Sequence, residues 1–374
     1  MVEKNHTDDQ NGVTESQHDR IGATRRRLLR TVATGSIASA GLGAVTDTVV
    51  ATPEQPGVTV VEFRDRNDGL SRDAIRRLQA RALEQYRSQT DDKELTIVGS
   101  PDVWSDQVET DLSVVSYALK VYPDGTSKYD AQVVEDGQPE HVVSEAHAAT
   151  RAFVDKVSDR RRPASADTAA STQSNDASYD YVAGGSVSNA GCPEGTISIT
   201  SDVYEWVTDN SNRVLFATQT DFQAIPGTNR DACNGVWYNG YTDEATHRWN
   251  ESSLSGGEQV DHKPAGGKSG STSSQFTIST SGASVSWGYD QPNVERDDNS
   301  TLDMAEWYYD YNSSEAASQT CVWETGSEAE FDKYQNPDRG DKLLRGYFKH
   351  RFFDKLNYGR KMKDVSDYYY YGYG

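Results

Sequence analysis

Residues 274–289 read SQFTISTSGASVSWGY. Apolar Phe276, Ile278, Val285, Trp287 and Tyr289 alternate with Gln275, Thr277, Ser279, Ser284, Ser286 and Gly288, and the stretch reads as one strand. A period of two places one set on each face of an extended strand. The same texture runs from Tyr179 to about Phe331, where Gly, Ser, Thr, Asn and aromatics dominate and six of the seven tryptophans fall. TISITSDVYEWV, RVLFATQTDFQAI, GVWYNGY, ATHRWN, LDMAEWYYDY and SQTCVWE all have strand composition, with turn residues every ten or so positions. This predicts an all-β antiparallel sandwich or barrel over 179–335. The stretch shows neither sustained helical periodicity nor a repeat of fixed period.

Working upstream, residues 160–178, RRRPASADTAASTQSNDAS, hold almost no bulky apolar side chain. Such a segment buries too little surface to offset its ordering entropy and reads as a disordered linker. Before it, 52–159 predicts a small α+β domain in the order β-α-β-β-β-α, with both helices on one face of the sheet. Ser71 is a good N-cap, Leu70 and Ile75 occupy the positions of a hydrophobic staple, and Ile75, Leu78, Ala82 and Tyr86 form one apolar face. YPDGTS at 122–127 is a turn, with Pro123 and Gly125 supplying its φ angles. Ser144 is expected to cap a second helix, whose Ala149, Phe153 and Val157 are spaced by four; His141 and His147, which flank Glu145, are expected to face solvent.

Working downstream, 336–374 is a basic aromatic tail. Arg339 to Asp364 carries nine Lys and Arg against three Asp, a net of +6, in a chain whose 58 acidic and 37 basic residues leave −21. KLLRGYFKHRFFDKL, with Leu344, Phe348 and Phe352 spaced by four, predicts a short C-terminal helix that is basic and amphipathic. It would attach to a membrane or partner, or dock on its own acidic body.

The N-terminus sets the compartment. Three arginines precede a run of small and aliphatic residues to Ala51, too rich in Gly, Ala, Ser and Thr to make the ~20 strongly apolar residues of a bilayer span. Thr24-Arg25-Arg26-Arg27-Leu28-Leu29-Arg30 resembles the twin-arginine export signal, with Arg25 and Arg26 as the pair that the translocation machinery reads. The resemblance implies that 1–51 is a signal peptide cut after Ala51, that the protein folds before export, and that it is released outside the cell. Together with the acidic composition, it resembles exported proteins of haloarchaea. The negative charge is self-repelling in dilute buffer and screened at molar salt, where the Debye length is about 3 Å.

Three cysteines in an oxidising exterior leave one over. Cys192 (NAGCPEG) and Cys233 (RDACNG) lie in loop-like sequence and are expected to pair, with Cys321, in the strand-like SQTCVWE, buried as a thiol. Their spacing fits no zinc template. No GxSxG, HExxH or EF-hand loop occurs, and AGGKSGST at 265–272 has His262 where a phosphate loop needs its leading glycine. Asp297, Asp298, Asn299 and Asp303 are oxygen ligands of the kind calcium takes, but they read as a solvated acidic loop. No catalytic, cofactor or metal residue is therefore assigned. Asn250, Asn299 and Asn312 stand in Asn-x-Ser/Thr sequons and are candidate glycosylation sites in an exported chain.

These features favour a secreted, non-enzymatic protein of binding or cell-surface-associated type, with an extracellular ligand and no nucleic-acid partner. A precursor is the first alternative: the N-terminal domain as propiece and the C-terminal domain as an effector, in the manner of archaeal bacteriocins. The second is a carboxylate-dependent hydrolase, which needs two acids at a set separation.

Overall fold

The computed structural model describes residues 48–49, 57–89, 97–103, 112–158, 179–207, 213–231, 233, 235–249, 258–280, 283–311, 314–332 and 342–371. All of them belong to one compact unit, Val45–Gly374. The export motif, the 160–178 segment, Asn250 and Asn312 lie outside the described residues.

The described strands are β1 (Thr48–Val49), β2 (Val58–Phe63), β3 (Ile97–Pro101), β4 (Leu112–Val121), β5 (Ser127–Glu135), β6 (Asp180–Gly191), β7 (Gly195–Val207), β8 (Arg213–Pro226), β9 (Trp237–Trp249), β10 (Glu258–Lys263), β11 (Lys268–Thr280), β12 (Ala283–Asp298), β13 (Met304–Asp310), β14 (Cys321–Asp332), β15 (Lys342–Asp354) and β16 (Arg360–Tyr371). With them come helices α1 (Arg72–Gln89), α2 (Glu140–Ser158) and the short α3 (Ser314–Ser318). Among the described residues the strands form two sheets, ordered β1-β2-β4-β5-β6-β7-β8-β14-β10 and β11-β12-β13-β9-β15-β16-β3. All pairings are antiparallel except β5 with β6.

The sandwich is filled by aromatics from both sheets. Phe222 of β8 lies 5.4 Å from Phe348 of β15, Trp323 of β14 lies 5.9 Å from Phe348, and Phe216 lies 6.0 Å from Tyr371. Rings at these separations add pair energy to the area they bury.

The α+β stretch does not stand apart as a domain. β5 pairs with β6 over Ser127–Val134, and β3 closes the other sheet against β16. Tyr129 sits where the two stretches meet: a Cβ on Gly99 or Gly185 would come within 2.0 Å of its ring, and its hydroxyl donates to Asp367 at 3.2 Å. Neither glycine tolerates a side chain there. Spacing in the sequence shows which face of a strand is apolar but not which strand covers it, so a shared sheet is read as two domains.

α1 begins as expected, with the Ala74 N–H donating to Ser71 Oγ at 3.2 Å. Its buried Ile75, Leu78, Ala82 and Tyr86 join the main core. α2 differs. It starts at Glu140, so Ser144 lies inside it rather than at the cap, and Val142, Val143, Ala146 and Thr150 are buried while Ala149 is exposed. Val142 and Ala146 pack on Val115 and Val134, so α2 covers the face of the sheet opposite α1. His147 is half-buried, its Nε2 within 3.0 Å and 3.1 Å of the Arg64 and Val115 carbonyls.

The basic tail is not a helix. KLLRGYFKHRFFD is β15, paired with β9 on one side and β16 on the other. A spacing of four, as in Leu344, Phe348 and Phe352, suits a period of two as well as 3.6, and here Phe348, His350 and Phe352 are all buried on one face. GVWYNGY and ATHRWN are likewise one strand, β9.

Candidate functional site

SQFTISTSGASVSWGY is not one strand but parts of two, β11 and β12, which pair as an antiparallel ribbon; alternation is the same on both sides of a turn and does not reveal it. Thr272↔Gln291 to Thr280↔Ala283 are paired continuously, nine pairs in all, with a register shift at Gly270/Thr272. Opposed residues of an antiparallel pair share a face. One face therefore holds Thr272/Gln291, Ser274/Tyr289, Phe276/Trp287, Ile278/Val285 and Thr280/Ala283, and the other Ser273/Asp290, Gln275/Gly288, Thr277/Ser286 and Ser279/Ser284. No charged residue occurs between Lys268 and Asp290, in a chain that is 25% charged.

Among the described residues the ribbon pairs with the rest of its sheet only at its base. β12 pairs with β13 over Glu295–Asp298 alone, and β11 is the edge of the sheet. Glu295 pairs with Asp310, Asp310 with Tyr241, and Trp237 with Asp354. From Val294 back to Ala283 the ribbon thus runs off the end of the sheet where β9 begins and β15 ends, and there it passes beside β14 and α3.

The buried titratable groups are spent on the fold. Burial holds His247 and His350 down to about 3, so both are neutral. His247 Nδ1 is 3.0 Å from Ser327 Oγ and its Nε2 is 3.2 Å from Thr325 Oγ1; His350 contacts Thr242 Oγ1 at 3.1 Å and Asn239 Oδ1 at 3.2 Å. Burial raises Asp367 and Glu328 to about 7 and Asp130 to about 6, beside Tyr129, Tyr179 and Thr150 respectively. Burial and the charge of Asp180 raise Glu205 to about 7. Each of these groups already has a structural reason for its shift, so none marks an active site by itself.

Cys192 and Cys233 form a disulfide with Cα atoms 5.2 Å apart, and Cys321 is a buried free thiol that burial pushes up to about 12. Asn299 is exposed in the β12–β13 turn, where its N–H donates to the Glu306 carbonyl at 3.0 Å. Asp298 is committed to that turn, accepting from Ser300 Oγ at 2.6 Å and from the Gly266 N–H at 2.6 Å, with His262 Nε2 3.0 Å away. Among the described residues no three His, Cys, Asp or Glu side chains are grouped as a metal site requires. AGGKSGST is the β10–β11 turn and the first residues of β11.

The signal for the ribbon was in the sequence, as alternation without charge. The pairing that puts Phe276 opposite Trp287, and the lack, among the described residues, of a second paired strand beside most of β12, were not. No family model matches the sequence, and no curated protein matches it. Among solved structures, the chain is similar to one titled "Pore forming protein", at 8% identity and a TM-score of 0.28, and to Clostridium perfringens delta-toxin, at 9% identity and a TM-score of 0.27; each likeness covers 49% of this chain and 88% of the other.

Proposed function

We propose that this is an exported, non-enzymatic, surface-associated protein that acts by inserting the β11–β12 ribbon into a lipid bilayer, several copies each giving one hairpin to a common barrel. The observation that carries the reading is the nine-pair register, in which Phe276, Ile278, Val285, Trp287 and Tyr289 all fall on one face and none on the other, with no charge between Lys268 and Asp290. A transmembrane β-strand needs about 9–11 residues. Its lipid-facing side is apolar and its lumen side polar, with aromatics near the interfaces. One hairpin leaves two edges of unpaired N–H and C=O groups, which hydrocarbon does not tolerate, so the hairpins must close into a ring.

The N-terminal stretch belongs to this working form. Freeing the chain after Arg162 would unpair β6 from β5 and β16 from β3, which argues for the unprocessed protein over the precursor.

Single cysteines at positions 274 to 279, each carrying an environment-sensitive dye, test the proposal. Ser274→Cys, Phe276→Cys and Ile278→Cys should report an apolar environment when lipid vesicles are added, and Gln275→Cys, Thr277→Cys and Ser279→Cys should not. Release of a trapped dye should accompany the change. A response without alternation, or none, overturns the reading.

A further inference from the structure

The ribbon leaves the sheet at the end that also carries the β15–β16 turn, Lys355–Gly359, and the composition there is the reverse of the ribbon's. Leu356 and Tyr358 are 69% and 79% exposed, among the most exposed large apolar side chains described. The turn that presents them is held by Asp354, whose Oδ1 accepts from the Leu356 and Asn357 N–H groups at 2.9 Å and 3.2 Å and whose Oδ2 accepts from Asn357 Nδ2 at 2.8 Å.

Beside the turn is a cleft of about 360 Å³, lined by Tyr238, Tyr241, Arg351, Phe353, Lys355 and Arg360 among others. Arg351 Cζ stands 4.1 Å from the centre of the Tyr241 ring and Lys355 Nζ 5.2 Å from that of Tyr238, so two of the cations are held over aromatic faces. Asp243 pairs with Arg351 at 3.2 Å; among the described residues no carboxylate lies within salt-bridge distance of Lys355 or Arg360. Desolvation, and after it the charge of Arg360, lower the Arg351 guanidinium from its ordinary value. A second cleft, with Asp243, Glu244, Asp297, Asp310 and Lys349, lies farther along β15 from the turn.

We infer that this cleft and turn form the docking site for a bilayer bearing phosphate-containing anionic headgroups: a headgroup phosphate is held between Arg351, Lys355 and Arg360 while Leu356 and Tyr358 enter the headgroup–acyl boundary. Exposed apolar tips flanked by cations are what an interfacial anchor needs, and the anionic lipid is chosen because two cations beside the cleft lack a counter-charge. The inference rests on the ribbon reading, since docking here brings the shared sheet end, and with it the ribbon, to the membrane surface.

Co-sedimentation with vesicles of phosphatidylcholine, with and without phosphatidylglycerol, tests it at ~0.1 M salt, where charges closer than about 10 Å still interact. The intact chain should bind the phosphatidylglycerol vesicles preferentially. The double variant Lys355→Ala/Arg360→Ala should bind them about 25-fold more weakly, two surface cations at roughly fivefold each, and Leu356→Ser/Tyr358→Ser should also bind less. Equal binding to both vesicle types, or no loss in the double variant, overturns the inference. So does a melting shift with inorganic phosphate that disappears in the double variant while vesicle binding does not change, because the cleft would then take a soluble anion. Preferential binding without dye release would uphold the docking site and overturn the ribbon reading, so the two failures are distinguishable.

Discussion

β11–β12 and β15–β16 are hairpins of one sheet, ending at the same side of the sandwich and held to it very differently. β15 is paired along its length with β9 on one side and β16 on the other, and β16 is paired in turn with β3. Its inward residues Phe348, His350 and Phe352 are buried against the opposite sheet. The ribbon holds its sheet through four pairs, Glu295–Asp298 with Trp307–Asp310. Removing β15 would unpair two neighbours and empty the core, whereas moving the ribbon unpairs only its base. Elements drawn into conformational change come from the low-stability end of a structure for this reason. Charge follows the same division: the anchored hairpin carries the basic residues and the ribbon carries none between Lys268 and Asp290.

The largest effect expected from this contrast concerns charge placed on the ribbon. Ile278→Lys puts a lysine on the apolar face and Thr277→Lys puts one on the hydroxyl face. A lysine on the lipid side of a barrel costs about 2–4 kcal/mol at the midplane and less toward the interfaces; Ile278 lies one step of the alternation from the central Phe276/Trp287 pair, and every copy in a ring bears the cost. Ile278→Lys should therefore abolish dye release from vesicles, whereas Thr277→Lys keeps it and shifts the pore toward anions. Circular dichroism should show both variants folded. Equal loss in both would mean that the two faces are not distinguished by lipid.

Next in size is the disulfide, which belongs to the anchored body. Cys192 and Cys233 are 41 residues apart and tie the β6–β7 turn to the loop before β9. Closing a loop of that length is worth about 4 kcal/mol in the chain-entropy account. Cys192→Ala/Cys233→Ala should lose about that much in chemical denaturation, with dye release per folded molecule unchanged. A parallel fall in release would show that the ribbon draws on the body's stability and would narrow the distinction between the two regions.

How much of this was legible depended on whether a property was local. The strand texture of 179–335, the α1 cap at Ser71 and the loop setting of Cys192 and Cys233 are local, and the structure shows each of them. Pairing is not local. Leu344, Phe348 and Phe352 fit two periods, and only the neighbouring β9 and β16 decide between them. The shared sheets depend on Tyr129 resting where Gly99 and Gly185 leave room, two glycines that nothing nearby in sequence explains. The cleft draws Tyr238, Arg351 and Arg360 from three strands and the connections between them, and no spacing in the chain announces it.

The smallest effect uses the one kind of group the anchored hairpin has and the ribbon lacks, a buried base. His350 is held to about 3 by burial, far below the 6.5 of a free histidine. With its folded value depressed, the histidine contributes stability that is present above about pH 6.5 and lost as the pH falls toward 3. Asp367, Glu328, Glu205 and Asp130 act in the opposite sense. Their raised values mean stability that is full below the unfolded carboxylate range and lost as the pH rises through about 6 to 7. The raw pH curve of the protein therefore mixes both signs, and the histidine is isolated only by difference. His350→Gln keeps a polar group beside Thr242 and Asn239 and removes the titration. The stability advantage of the native chain over this variant should shrink by about 2 kcal/mol between pH 6.5 and pH 5, read from urea denaturation at each pH. No residue between Lys268 and Asp290 titrates in that window, so a pH dependence of dye release that survives in His350→Gln has to come from the other buried groups of the body. An advantage that stays constant with pH would mean that His350 is hydrated and that the sandwich opens around β15 more readily than its pairing implies.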